Sequence, residues 1–266
     1  MISRREFLKL SMAAGLGFIS PRSLRVWGPW RVSTKYLRSA LDPTSIPKYQ
    51  TPLVKPPAMP SSGASSHHYR IAMRQFQQQI LPTSMGLPRT TVWGYGSLDH
   101  AGTVSEGGTF HYPAFTIEAT YGQPVTVQWV NGLVDADGNF LPHILSVDQT
   151  LHWANPPGGM HHRDMDGMDP SPYLGPVPVV THVHGAHTRE ESDGYAEAWY
   201  LPAAKNIPAG YARTGTWYDR FVAKYGLSWE PGTATFSYPN NQRATTLWYH
   251  DHTLGMTRLN VYAGPA

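Results

Sequence analysis

Residues 177–187, VPVVTHVHGAH, and residues 245–252, TTLWYHDH, decide the fold of this chain. Each is a run of β-branched or aromatic residues, the composition of a strand. Each also carries a His-x-His pair: His182 and His184 in the first, His250 and His252 in the second. Strand side chains alternate faces, so residues i and i+2 point the same way. Two neighbouring strands with such pairs bring four imidazoles together and make a metal site without any thiolate. Imidazole suits Cu, Zn, Ni and Fe, so the donor type leaves the metal open. His187 follows Gly185, where the strand should end, and is read as a bystander.

The rest of the chain agrees with strands. Its 266 residues include 25 Gly, 24 Pro and no Cys, with 15% charged and 12% aromatic residues. Few charges with many turn formers suit an all-β protein better than a helical bundle. In YRIAMRQFQQQI, Tyr69, Ile71 and Met73 alternate with other residues, which predicts a strand with one buried face. FTIEAT (115–120), YGQP (121–124) and VTVQWVN (125–131) predict a hairpin, and TATFSYP (233–239) a further strand. Residues 132–176 and 203–229 are irregular, the second with a short helix over 217–225. Trp129, Trp199 and Trp248 sit in strand-like contexts and read as core. No βαβ alternation occurs, so the expected architecture is a β-sandwich or Greek-key barrel.

The N-terminus reads as an address. Arg4 and Arg5 precede a short apolar run from Leu10 to Ile19, about the length of a signal core and too short to cross a bilayer, which takes ~20 residues. The pair resembles a twin-arginine export signal, and with it goes a periplasmic or extracellular location. The expected organisation is a signal over 1–20, an extended Pro/Ser-rich linker over 21–66 and one domain over 67–266. No other stretch reads as transmembrane. The net charge is +3, with no dense Lys/Arg block beyond the N-terminus, and this gives no support for a nucleic-acid partner. Without Cys there is no disulfide, thiolate zinc site or cysteine nucleophile in this chain.

THVHG (181–185), ESDGYAEAWY (191–200) and YPNNQRATTLWYHDHTLGMTRLNVYAGPA (238–266) together resemble the first domain of multicopper oxidases, nearest to the bacterial spore-coat laccase, bilirubin oxidase and phenoxazinone synthase group. The match is close from Val177 to Ala266 and looser from Tyr69 to Asn131. The resemblance implies a cupredoxin-like fold and copper as the cofactor. It makes His182 a ligand of the type 2 copper, and His184, His250 and His252 ligands of the type 3 pair. In that family the cluster reduces dioxygen to water with electrons from a small reducing substrate, taken up at a type 1 copper. Asp193 matches an acidic residue near the cluster that helps deliver protons; an Asp-Gly turn is an equal alternative. Asp251, between two ligands, is turned away from them by strand parity and reads as supporting or structural.

The chain departs from that pattern in having no Cys for a type 1 copper and only two of the family's His-x-His motifs. The expectation is half of a copper cluster, with the C-terminal cupredoxin domains absent. A fragment, a truncated gene and a partner on another polypeptide are the explanations, in that order. An oxidase domain inactive by itself competes with a stand-alone copper- or zinc-holding module and with a defunct or structural domain. GMHHRDMDGMDP (159–170) gathers Met160, His161, His162, Met165 and Met168, donors suited to Cu(I), although a solvated insertion is the plainer reading. His67 and His68 read as the polar lead-in to the first strand.

Overall fold

The computed structural model describes residues 41–63, 67–165 and 171–266. The expected signal over 1–20 and the linker residues 21–40 and 64–66 lie outside the described residues, as does Met168. The chain divides into two units, Met1–Gln50 and Thr51–Ala266. In the first, Asp42 caps a single turn over Pro43–Ser45 by accepting the Thr44 N–H at 2.8 Å.

The second unit is built on two β-sheets, as expected of a β-sandwich. One sheet has the order β2-β1-β3-β5, with β1 His68–Gln78, β2 Thr90–Ser97, β3 Val125–Asn131 and β5 Thr233–Tyr238. The other pairs β4 Thr181–His184 with β6 Trp248–Asp251, antiparallel. Among the described residues of this unit, three α-helices complete it, beside several single 3-10 turns: α1 Gly159–His162, α2 Thr216–Tyr225 and α3 Thr257–Ala263.

Tyr69, Ile71 and Met73 of β1 are buried as expected, but Ala72 on the opposite face is buried as well, so the strand is covered on both sides there. β3 alternates through its whole length and buries Val125, Val127, Trp129 and Asn131. The expected hairpin does not form. β3 runs parallel to β1 and antiparallel to β5, and the 115–120 segment makes one bridge, Thr116 with Ala58. Pairing to β1 and β5 uses both edges of β3, so no edge remains for Phe115–Thr120. The same bridge seats Met59, which is buried, so the packed domain takes in residues ahead of position 67.

Strand β2, not expected from the sequence, contains Gly94 and Gly96. A Cβ on Gly96 would lie 2.6 Å from the Phe110 ring, so the glycine is what lets that ring cross the strand. α2 forms where expected and buries Tyr218 and Phe221.

Contacts of Asn131, Tyr249 and Tyr95 fix the small sheet over the large one. Asn131 donates its side-chain N–H groups to the Val177 and Tyr200 carbonyls at 2.8 and 3.1 Å, tying the end of β3 to the approach to β4. Tyr249 of β6 packs edge-on against Tyr95 at 5.2 Å and tilted against Trp129 at 5.3 Å between ring centroids. Tyr95 also meets the Thr181 hydroxyl at 3.2 Å. Burying these aromatics orients β6: Tyr249 faces the core, so its neighbours in sequence face the other way.

Candidate metal centre

That orientation builds the site. In the β4–β6 ladder, Thr181 pairs with Asp251, His182 with His250, Val183 with Tyr249 and His184 with Trp248. With Tyr249 turned inward, His182, His184, His250 and Trp248 share the outer face. The His182 ring centroid lies 5.8, 5.6 and 5.1 Å from those of His184, His250 and His252. One nitrogen from each of His182, His184 and His250 lies within 4.8 Å of the others. Two donors bonded to one ion at ~2 Å span at most about 4 Å, so this spacing is close to that of a shared ion or an adjacent pair.

His252 reaches the group by a different route. The strand ends at Asp251, because the Asp251 carboxylate accepts the Thr253 N–H at 3.1 Å and turns the chain. His252 then donates its backbone N–H to the Val180 carbonyl at 2.8 Å, which holds its ring beside His182.

Hydrogen bonds select which ring nitrogens remain free. His182 Nδ1–H donates to the Asp193 carbonyl, which leaves Nε2 as its lone-pair donor. The Asp193 carboxylate stands 3.4 Å from the same Nδ1. His250 Nδ1–H donates to the Asp251 carbonyl at 2.7 Å, while its Nε2 is buried with no protein partner. Nδ1 of His252 is likewise buried and unpartnered. Burial, reinforced by the neighbouring imidazoles, lowers the pKa of both His250 and His252 and keeps them neutral, the form that binds metal.

Asp251 lies on the opposite side, fully buried. Its carboxylate accepts from Val180 N–H (3.1 Å), Thr253 N–H (3.1 Å), Thr253 Oγ1–H (2.9 Å) and Asn260 Nδ2–H (2.9 Å). Burial pushes its pKa up to about 6 against these bonds. Asn260 belongs to α3, a helix the sequence did not announce, and thus α3 locks the turn that carries His252. His187 donates its N–H to the Gln242 side chain and is not in the His182–His184–His250 group. Trp248, expected in the core, is 44% exposed and stacks on His250 at 4.2 Å and His184 at 5.4 Å. Its partners explain the difference: it pairs with His184 on the outer face.

No protein-family model matches the chain. A laccase of Bacillus subtilis (strain 168) is 32% identical over 197 residues, 74% of this chain, and a laccase of Haloferax volcanii is 32% identical over 265 residues, 98% of it. Multicopper oxidase LPR1 homolog 1 of Oryza sativa subsp. japonica is 34% identical over 180 residues, 67% of it. The chain belongs to the multicopper oxidase family. It covers 28%, 35% and 22% of those relatives, about a third of their length or less. Membership in the multicopper oxidases implies copper, and the donor set fits it: neutral imidazoles, two buried nitrogens that lack protein partners, and three donors already clustered. Among the described residues, no helix of this multicopper oxidase chain is long and apolar enough to cross a membrane.

Proposed function

We propose that this chain is the first cupredoxin domain of an exported, laccase-like multicopper oxidase, and that it holds half of the ligands of a trinuclear copper cluster. His182 serves the type 2 ion; His184, His250 and His252 serve the type 3 pair. The observation that carries this reading is the β4–β6 register, which sets His182 opposite His250. Copper bound there supplies the one-electron chemistry by which dioxygen is reduced to water while a small reducing substrate, a phenol, pigment or metal ion, is oxidised.

The chain's own residues prepare that chemistry. The Asp193 carbonyl fixes the tautomer and direction of His182. Oxygen reduction consumes protons, and the Asp193 carboxylate, 37% exposed and 3.4 Å from His182, connects solvent to the cluster edge as a proton carrier. Trp248 covers one flank of His184 and His250 and holds their ring planes. A type 1 copper needs a thiolate; these 266 residues hold no Cys, so that centre lies outside them.

Copper content and electron paramagnetic resonance of the copper-loaded chain test the reading. His182→Ala and His250→Ala are each expected to lower bound copper and alter the signal, and unchanged copper in both overturns it. Export through the twin-arginine route rests on Arg4 and Arg5: changing both to Lys keeps the charge, removes the planar guanidiniums and is expected to leave the protein in the cytoplasm. Undiminished export of that variant refutes the route.

A further inference from the structure

The 159–165 loop is not the freely solvated insertion that its composition suggests. Arg163 and Asp164 anchor it. Arg163 is buried, and its guanidinium donates to the Thr214 carbonyl at 3.0 Å and pairs with Asp219. The Asp164 carboxylate accepts the Trp199 indole N–H at 2.7 Å and the Thr216 N–H at 2.8 Å. The Asn155 N–H bonds the Arg163 carbonyl at 2.7 Å. These bonds pin α1 and the turn after it, and the residues on either side of the anchors are left outward: His162 is exposed and Met165 is 50% exposed.

We propose that His162 and Met165 form a second metal site, for a soft monovalent ion of the Cu(I) class. Nδ1 of His162 lies 3.4 Å from Sδ of Met165. Bonds of ~2.0 Å to nitrogen and ~2.3 Å to sulfur place two donors on one ion at up to about 4.3 Å, so both reach a common ion without rearrangement. Both line a cavity that also includes Pro157, Tyr173 and Tyr211, partly apolar walls that favour a soft, weakly hydrated ion. Met160 is not a third donor: its sulfur faces the Arg163 guanidinium at 3.6 Å, and a bound cation there would meet that charge. A thioether with one imidazole suits Cu(I); Zn(II) takes four donors, which this pair does not offer.

Ag(I), an air-stable monovalent probe, tests the site by NMR of the methionine methyl groups in the full chain, alongside Cu(I) uptake against a chromogenic chelator. The Met165 methyl is expected to shift on adding Ag(I) while Met160 does not, and Zn(II) is expected not to reverse the shift. Met165→Leu and His162→Ala, both at exposed positions and checked for native circular dichroism, each lose one equivalent of Cu(I). His182→Ala retains the Met165 response, which separates this site from the histidine cluster. An unmoved Met165 methyl, full Cu(I) uptake by both loop variants, or displacement of Ag(I) by Zn(II) overturns the proposal.

Discussion

His182 stands directly opposite His250 across the β4–β6 ladder, with ring centroids 5.6 Å apart. The contact follows from burial on the far side of the strand pair: Val183 and Tyr249 face the core as the next pair, so the histidines share the other face. Removing one ring therefore leaves the core face of the strand pair intact. His250→Ala is expected to keep the fold and lose metal. Metal content after dialysis, with circular dichroism beside it, checks this; loss of fold together with metal would contradict the separation of the two faces.

Gly194 fixes the approach of Asp193 to His182. It has φ +74, and a Cβ there would sit 2.2 Å from the Thr181 carbonyl oxygen. Gly194→Ala combines left-handed strain with a clash against backbone, and is expected to cost about 2 kcal/mol or more. Because the displaced segment carries the Asp193 carbonyl, metal affinity is expected to fall as well. Urea midpoints and metal titration read the two effects, and a variant as stable as the parent would show that the segment is free to shift.

That His182, His184 and His250 share one face was legible in the sequence, because period-two spacing in β-branched and aromatic runs sets strand parity; His252, one residue past the end of β6, comes beside His182 through the turn instead. The partners of these histidines were not legible. The turn at Asp251–Thr253 depends on a carboxylate bonding a backbone N–H two residues on, and α3 is a seven-residue helix with no capping side chain. β2 was hidden by Gly94 and Gly96, which weaken a strand signal locally yet admit Phe76 and Phe110 in the fold. The 115–120 segment failed as half of a hairpin because both edges of β3 are taken by strands distant in sequence. Long-range pairing of this kind leaves no local pattern.

Asp251 is the bond that joins α3 to the site. Asp251→Ala leaves the buried Val180 and Thr253 N–H groups without their acceptor, while Thr253 Oγ1–H and Asn260 Nδ2–H keep only the Pro178 carbonyl, at 3.2 and 3.4 Å. Each unsatisfied buried donor costs on the order of 1–3 kcal/mol, so a loss of at least about 2 kcal/mol is expected. Asp251→Asn, which keeps an acceptor oxygen, is expected to lose less. Denaturant unfolding of the two variants compares them, and equal losses would mean that shape rather than the accepted hydrogen bonds holds the turn.

His143 makes stability depend on acid. Its two ring nitrogens are buried without protein partners, between Trp93 and Tyr173 at centroid distances of 5.8 and 5.7 Å. Burial lowers its pKa from 6.5 to about 3. Above pH ~6.5 the ring is neutral in both states and contributes no pH dependence. Between ~6.5 and ~3 the unfolded chain takes a proton that the folded chain refuses, so the unfolded state gains about 1.4 kcal/mol for each unit of falling pH. His143→Phe keeps the ring contacts and removes the titration. It is expected to be at least as stable as the parent at pH 7, since two unpaired polar atoms are gone. Between pH 7 and pH 4.5 it is expected to lose about 2.5 kcal/mol less than the parent, read from urea midpoints at the two values. Parallel losses in parent and variant would place the acid sensitivity on other groups and show that the His143 ring is reached by water.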